Sequence, residues 1–298
     1  CRTIESRSSR LITILITPFM SCSARIPIYL LLAGTFFAAD AGTVMLGLYA
    51  LGIVLAVVTA RLMRRFLFPV DETPFVMELP PYRLPTWKTT FSHMWDKCAQ
   101  YLKKMGGMIL IASVIVWFLS YYPRTDAAAG TEAHYENSYL GRLGKGCEPV
   151  FSPLGFNWKA GVSLLSGLPA KEIVVSTLGV LYSEGAATAP AEQEAVIGDA
   201  DGATEIIVKT DDPTPAKAFR TAEEEEDSLS QRLLASGDFT TASALAFLVF
   251  ILLYMPCIAT VAAIGAEAGW KWAAASVVYN TTLAWFVAWI VYRIALIF

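Results

Sequence analysis

Six stretches of the chain are apolar over roughly the 20 residues that a helix needs to cross a bilayer. They comprise residues 11–38, 43–63, 106–122, 160–183, 240–265 and 272–296. Polar or charged residues separate each stretch from the next. The pattern predicts an all-α membrane protein with about six transmembrane helices.

The first apolar stretch is interrupted by residues 18–27, which hold two prolines, two serines, a cysteine and an arginine. Proline removes a backbone donor and clashes with the preceding turn, so we expect a broken helix. Lipid cannot satisfy the freed backbone groups, and such a break is tolerated only against protein or a water-filled cavity. A simple proline kink bonded to a neighbouring helix is the alternative.

The fifth stretch carries a similar interruption, in which Met255, Pro256 and Cys257 lie in the middle of an apolar run. Beside residues 14–25 it forms an imperfect internal repeat of aliphatic half-helix, proline, cysteine and small residues. Paired interrupted helices are the best sequence indication of a transporter site at a repeat interface. The alternative is that each cysteine merely packs as a small hydrophobic residue.

The fourth stretch contains two adjacent ionisable residues, Lys171 and Glu172. Either would cost roughly 2.5–3.5 kcal/mol at the bilayer centre, so both are expected to face protein or water. We expect Glu172 to face the same polar interior as Arg25 and residues 21–23. It would serve there as a ligand or proton carrier, or form a structural ion pair with Arg25.

Thiolate and thioether sulfur suits soft or borderline transition metals, which makes a metal permeation site the favoured interpretation of the two breaks. Thiolate formation requires deprotonation, so metal entry is expected to release protons and to weaken at low pH. The candidate permeation residues are Cys22, Cys257, Met20, Met255, Ser21, Ser23 and Glu172.

Charge is distributed unevenly along the chain. Residues 184–240 contain 14 acidic and 4 basic side chains, although the whole chain has a net charge of only −3. This acidic loop has the composition of a solvated linker, expected to be mobile and dispensable for folding. The overall charge gives no indication of nucleic acid as a partner.

The bias of lysine and arginine predicts the orientation in the membrane. Basic residues precede the first apolar stretch and lie between the second and third. With six spans, the start of the chain, residues 64–105, the acidic loop and the C-terminus would be cytoplasmic, and residues 123–157 external. Within 64–105, a proline-rich segment is followed by an amphipathic helix expected in the headgroup plane.

Signals of an enzyme are missing from the sequence. The two histidines are far apart, no P-loop is present, and the five cysteines form no CxxC pair. The chain begins at Cys1 without a signal-peptide pattern, and we therefore expect a piece of a longer protein.

Three segments have distinctive sequences: residues 18–29, the LPPYRLP segment at 79–85 and residues 93–118. Together they resemble the ferrous-iron transporter B (FeoB) family. Residues 168–179 and 253–264 are similar to that family's second gate motif and third cysteine region, and residues 2–5 to the tail of its first gate motif. The resemblance covers almost the whole chain except 123–157 and 184–238.

The resemblance implies an inverted-repeat gate architecture and Fe²⁺ as the transported substrate in the bacterial cytoplasmic membrane. Cys22 and Cys257 match two of the family's membrane cysteines. GTP and Mg²⁺ would bind only in an N-terminal GTPase domain outside this chain, and this chain itself would not be an enzyme. Expected partners are the lipid bilayer, that domain, small cytoplasmic accessory Feo proteins and further copies of the protein. The alternatives are a nucleoside-type or other transition-metal transporter, or a non-transporting membrane scaffold.

These expectations divide the chain into seven parts. They are the end of the first gate repeat with the following span (1–63), the cytoplasmic segment (64–105), a transmembrane helix (106–122), an external loop (123–157), the second gate motif (158–183), the acidic loop (184–239) and the broken cysteine-containing helix with the terminal span (240–298).

Overall fold

The computed structural model describes residues 4, 6–67, 86–123, 132–182 and 229–297. In these ranges the regular structure is helical and no strand occurs. The helices are α1 (Arg7–Ile16), α2 (Ile26–Phe36), α3 (Ala41–Phe66), α4 (Trp87–Tyr121), α5 (Glu132–Asn137), α6 (Tyr139–Phe151), α7 (Trp158–Ser166), α8 (Ile173–Leu181), α9 (229–236), α10 (Thr241–Leu253), α11 (Ile258–Ala268) and α12 (Trp270–Ala295).

The predicted class, an all-α membrane protein, is confirmed. Four segments of the described chain are helical, long and apolar enough to cross a membrane: Ser8–Phe36, Ala41–Phe66, Thr241–Ala268 and Trp270–Ala295. A fifth apolar helix, Gly106–Tyr121, is shorter. The fourth of the six predicted stretches, residues 160–183, does not form a helix of this length.

Helix α10 lies at the centre of the fold. Its start is fixed by a capping box, in which the Thr240 side chain accepts from the Ser243 N–H and the Ser243 side chain accepts from the Thr240 N–H. From Ala246 to Leu253 every side chain is buried, and the stretch belongs to the largest hydrophobic core. The chain that follows Leu253 therefore begins inside the protein rather than at its surface.

The two interrupted apolar stretches run antiparallel beside each other. Helix α1 packs against α11, with Ile14 and Ile264 in one apolar cluster, and α2 packs against α10. The end of α1 and the start of α2 are therefore held at the same depth as the end of α10 and the start of α11. This arrangement brings residues 17–25 and 254–257 to the middle of the bundle.

Residues 158–182 form a hairpin of two short helices, α7 and α8. At its open end the Asn157 amide donates to the Tyr182 hydroxyl (3.2 Å), and near its closed end Ser166 and Thr177 are hydrogen bonded at 2.8 Å. Each nine-residue helix is about 13.5 Å long, less than half of a bilayer core of about 30 Å. The expected fourth span is thus corrected: the chain turns back between Gly167 and Glu172.

A glycine and a proline explain this turn. A Cβ atom at Gly167 would collide with the Val174 side chain, so only glycine allows α7 and α8 to approach this closely. Pro169 follows two residues later and cannot continue a helix, since it lacks an N–H. The tip of the hairpin consequently comprises residues 167–172.

The two ends of the bundle can be distinguished by their contacts. At one end, called the Met63 end, Met63 packs with Ile12, Leu15 and Trp272. The opposite end, called the Phe239 end, holds Phe36 and Tyr182 against Phe239, each at 6.3 Å between ring centroids, and Tyr292 beside Gly155. Helices α3 and α12 run between these ends in opposite directions.

The geometry differs from the predicted sidedness in the relative positions of two chain segments. The end of α3, which leads into residues 68–85, lies at the Met63 end, whereas α12 finishes at the Phe239 end. The C-terminus and the start of segment 64–105 are therefore on opposite faces, not on one cytoplasmic face. The physical reason is the hairpin, which returns the chain to the face from which it came. Every later helix therefore crosses the membrane in the direction opposite to the predicted one.

The third predicted span is joined to the predicted interfacial helix. Helix α4 runs without interruption for 35 residues from Trp87 to Tyr121. It continues through Gly106 and Gly107 because glycine keeps its N–H and can remain in a helical ladder. The proline-rich residues 78–85, most of the acidic loop (183–228) and residues 124–131 lie outside the described residues.

The close approach of α3 to the first break predicts a contrast between two glycines. A Cβ atom at Gly52 would lie 2.9 Å from the Phe19 carbonyl oxygen, whereas one at Gly47 meets nothing within 4 Å. Gly52→Ala is expected to lower the thermal stability of the protein in detergent, and Gly47→Ala to leave it unchanged or raise it through helix propensity, worth up to about 1 kcal/mol. Equal melting temperatures for the two variants would contradict this packing.

Candidate functional site

The first break consists of two short 3₁₀ turns separated by extended backbone. The turns are Thr17–Phe19 and Ser23–Arg25. Between them Met20 and Cys22 have extended conformations, with ψ angles of 130° and 161°. Extended residues make no helical hydrogen bonds, so carbonyl groups of this segment are available to side chains or ligands.

Arg25 supplies hydrogen-bond donors to these carbonyl groups. Its side chain is only 3% exposed, and its guanidinium donates to the carbonyl oxygens of Pro18 (3.2 Å) and Met20 (3.4 Å). The planar guanidinium can bond two carbonyls at once, which a lysine ammonium does less well. Arg25 therefore holds the break open and in one conformation.

The second break comprises Tyr254, Met255, Pro256 and Cys257. Cys257 is the N-cap of α11, and its Sγ lies 3.3 Å from the Thr260 hydroxyl oxygen. Cys22 has the same position relative to the turn that leads into α2, of which it is the N-cap. Each cysteine thus stands where a helical segment begins again after a break.

The hairpin tip contacts the second break directly. The Ile258 N–H donates to the Leu168 carbonyl oxygen at 3.2 Å. Three residues further, the ammonium nitrogen of Lys171 lies 3.1 Å from the centre of the Tyr254 ring. Lys171 is 3% exposed and interacts electrostatically with Arg25, Cys22 and Cys257.

Lys171 is thus the group at which the three special segments of the sequence meet. We call Cys22, Arg25, Lys171, Tyr254 and Cys257 the cysteine junction. It joins the first break, the hairpin tip and the second break in the middle of the bundle, where a permeation site of a transporter is expected.

Polar atoms without partners are concentrated at this junction. Among the described residues, Arg25 Nε and Lys171 Nζ are buried without a hydrogen bond, and beside them the buried Ser21 Oγ and Tyr29 OH have only each other as a nearby partner. Tyr29 interacts electrostatically with Arg25 and Cys22, which places it beside the first break. Buried polar groups in proteins normally bond to protein, water or an ion. The junction therefore has the polarity of a hydrated or ion-binding interior.

The predicted permeation residues differ in their exposure. Cys22, Ser23 and Met20 are exposed, Met20 by 55%, whereas Ser21, Met255 and Cys257 are half-buried. Nowhere among the described residues do three His, Cys, Asp or Glu side chains come together. The donors that the junction offers to a cation are the two thiols, thioether sulfur, hydroxyl groups and backbone carbonyls.

Of the two roles expected for Glu172, the ion pair with Arg25 is absent among the described residues. The Glu172 side chain is exposed. Its neighbour Lys171 points into the protein instead, since consecutive residues of the hairpin turn face in different directions. A role of Glu172 as a proton carrier stays a prediction.

The sequence-based candidate set omitted Lys171, Tyr29 and Tyr254. The cost of an ionisable group in an apolar stretch marked Lys171 and Glu172 equally, and no periodicity distinguishes two adjacent residues in a turn. The tyrosines gave no separate signal, because an aromatic residue in an apolar stretch is most often core.

Two family models match the chain. Residues 102–271 match the Gate model, described as nucleoside recognition. Residues 45–97 match the model of the ferrous iron transport protein B C terminus. The first match includes the hairpin and the second break, and the second includes most of α3 and the start of α4.

Curated relatives match the chain over nearly its full length. A fusion of Fe(2+) transport protein A with Fe(2+) transporter FeoB from Porphyromonas gingivalis is 46% identical over 100% of this chain and 36% of its own length. The Fe(2+) transporters FeoB of Methanocaldococcus jannaschii and Campylobacter jejuni are each 36% identical, over 97% and 99% of this chain and 38% and 43% of their own lengths.

The chain spans about two fifths of the length of these relatives. No solved structure gives a significant match. Because the Gate model covers more than half of the chain and the FeoB relatives cover all of it, the chain belongs to the Gate family and, within it, to the C-terminal membrane portion of the FeoB proteins.

Proposed function

We propose that the protein carrying this chain transports Fe(II) across the bacterial cytoplasmic membrane, and that the cysteine junction is part of its pathway. The observation that carries the proposal is that two cysteines, each at the restart of a broken helix, both interact electrostatically with one buried ammonium, that of Lys171. The names of the relatives, which are Fe(2+) transporters, support Fe(II) as the substrate.

The donor set suits a metal that must be bound and released. Sulfur ligands favour Fe(II) over Mg²⁺ and Ca²⁺, which prefer oxygen. Two thiolates give selectivity for Fe(II). The weaker contacts, from Met20, Met255, Ser21 and Ser23, do not enclose the metal completely, so it can be released. Thiolate ligation displaces protons, so uptake is expected to decrease at low pH.

We propose that GTP hydrolysis occurs in a domain outside this chain. The relatives are more than twice as long as the part that this chain matches, which leaves room for such a domain. The natural fusion of an Fe(2+) transport protein A with a relative suggests a small accessory Feo protein as a partner. Assembly of several copies is a further proposal, with the bilayer as the common environment.

We further propose that the Met63 end faces the cytoplasm. That end carries the basic residues at the start of α1, the end of α3 and the start of α12, in agreement with the bias of basic residues toward the cytoplasm. The C-terminus and the acidic loop would then be external, opposite to the sidedness expected from six spans.

Impermeant thiol labelling of spheroplasts tests this orientation. Leu296→Cys, at the end of α12, is expected to react with a charged maleimide that does not cross the membrane. Leu67→Cys, which is equally exposed at the end of α3, is expected to react only after permeabilisation. The parent protein gives the background from its natural cysteines, and the reverse pattern of labelling would overturn the proposal.

The transport proposal is tested by flux into proteoliposomes that contain the full-length protein. Uptake of radioactive Fe(II) under reducing conditions, abolished by loss of the two thiols, is the expected result. A nucleoside-type transporter, which the description of the Gate model suggests as the second candidate, would instead accumulate labelled nucleoside. Another metal transporter would prefer Mn(II) or Zn(II), and a scaffold would transport none of these.

A further inference from the structure

The charges at the cysteine junction do not balance. Lys171 and Arg25 bring two buried cations to it, and no described carboxylate forms an ion pair with either. Glu172, the nearest acidic residue in sequence, is exposed. The groups that face Lys171 from the neighbouring segments are Arg25, Cys22, Cys257 and the Tyr254 ring.

The two cations differ in how firmly they are held. Arg25 is bonded to two carbonyl groups of its own segment. The Lys171 ammonium has no hydrogen-bond partner and rests on the face of the Tyr254 ring. A cation–π contact holds an ammonium without fixing its direction, and lysine has a flexible four-carbon stem.

Lys171 lies in the turn that attaches the hairpin to the second break. Residues 167–172 form a turn between two half-length helices, and the backbone bond from Ile258 to Leu168 attaches this turn to the second break. The stem of Lys171 allows its ammonium to swing while α7 and α8 stay in place.

We propose that the Lys171 ammonium is a tethered cation that occupies the cysteine junction and that an entering divalent metal must displace. This inference rests on the proposed transport of Fe(II). A metal and the ammonium compete for the same sulfur atoms and repel each other, so their occupancies exclude one another. The metal enters as the ammonium withdraws along the Tyr254 ring.

The exchange makes Lys171 a determinant of specificity. Sodium and potassium carry no more charge than the ammonium they would replace, and Mg²⁺ has little affinity for sulfur. Only a divalent metal with affinity for thiolates gains enough to displace the tether. When the metal leaves, the ammonium returns and prevents the site from becoming a trap.

Binding of Co(II) to the purified full-length protein tests the proposal. Co(II) resists oxidation in air, and its sulfur-to-metal charge-transfer absorption reports thiolate ligation directly. Lys171→Met keeps the length of the side chain and removes its charge, and is expected to bind Co(II) at least about tenfold more tightly than the wild type. The measurement reports binding and does not depend on transport activity.

Lys159→Met is the matched control. Lys159 lies on the same hairpin at its open end, with its ammonium 4.8 Å from the centre of the Tyr182 ring. Removal of this second lysine–tyrosine contact is expected to leave Co(II) affinity unchanged. Equal affinities for the Lys171→Met and Lys159→Met proteins, or weaker binding by Lys171→Met, would overturn the tethered-cation role.

A second pair of variants keeps the test decisive if Lys171→Met does not fold. Tyr254→Leu removes the ring on which the ammonium rests in the junction, so the tether is held there less firmly and Co(II) should bind more tightly than to the wild type. Tyr254→Phe keeps the ring and should show a smaller change. If the two variants bind Co(II) equally, the ring does not hold the tether and the proposal fails.

The same absorption separates this inference from the proposed function. Wild-type protein that gives no sulfur-to-cobalt band, or a band that survives replacement of both junction cysteines, contradicts the permeation site itself. A normal cysteine-dependent band with no effect of Lys171→Met contradicts only the tether.

Discussion

Replacement of Cys22 or Cys257 by serine in the full-length protein is expected to reduce Fe(II) uptake about tenfold or more, because a hydroxyl is a much poorer ligand for this metal than a thiolate. GTP hydrolysis should remain largely intact, since both residues lie in the membrane portion. Uptake into proteoliposomes and phosphate release, measured on the same preparations, check the two halves of the prediction.

The competing interpretation is that both cysteines only fill space. Cys22→Ala combined with Cys257→Ala distinguishes the two, because alanine preserves a small apolar side chain and removes the ligand. Cys147→Ser, a half-buried cysteine on α6 outside the junction, is the matched control and should transport normally. Met20→Leu should have a milder effect than either serine variant. Normal uptake by the double alanine variant would show that the two cysteines only fill space.

Replacement of Arg25 by methionine is expected to cause a severe loss of folded protein. The carbonyl groups of Pro18 and Met20 would lose their donors inside the bundle. An unsatisfied buried polar group costs roughly 1–3 kcal/mol. The bond to Pro18 is buried and the bond to Met20 is partly buried, so the Pro18 carbonyl bears most of this cost. Thermal unfolding in detergent, followed by size-exclusion chromatography, measures the loss.

Arg293→Met is the control, because it removes an arginine side chain that lies outside the break. Arg293 lies near the end of α12, and its described contact is with the Trp289 ring at 5.7 Å from the ring centre. Its removal should change stability little. Arg25→Lys should be intermediate, because one ammonium reaches a single carbonyl more readily than two. An Arg25→Met protein as stable as Arg293→Met would show that the break does not depend on the guanidinium.

Local sequence features were sufficient for the class of the protein and for the segments that form the site. The length of an apolar segment predicts a membrane helix because lipid offers no hydrogen-bond partners, so the backbone must form its hydrogen bonds within the segment. The prolines and polar residues at 18–27 and 253–257 marked the segments that the structure brings to the middle of the bundle. The motifs also indicated the family that the curated relatives support.

Local sequence features could not show that the chain reverses its direction within the fourth apolar stretch. Two helices of nine residues joined by a turn have the same total apolar length as one span. The difference lies in the contact of α7 with α8 across Gly167 and in the bond between Leu168 and Ile258, which are 90 positions apart. Every error in the predicted sidedness followed from that single segment.

The sequence by itself determined that this is an all-α membrane protein with ionisable and sulfur-bearing residues in apolar segments, because the cost of exposing such groups to lipid is a property of each residue. Only the tertiary structure decided that Lys171 rather than Glu172 is buried beside Tyr254, within electrostatic range of both cysteines. That choice depends on the backbone directions of a turn and on partners from distant segments, neither of which is encoded in local hydropathy.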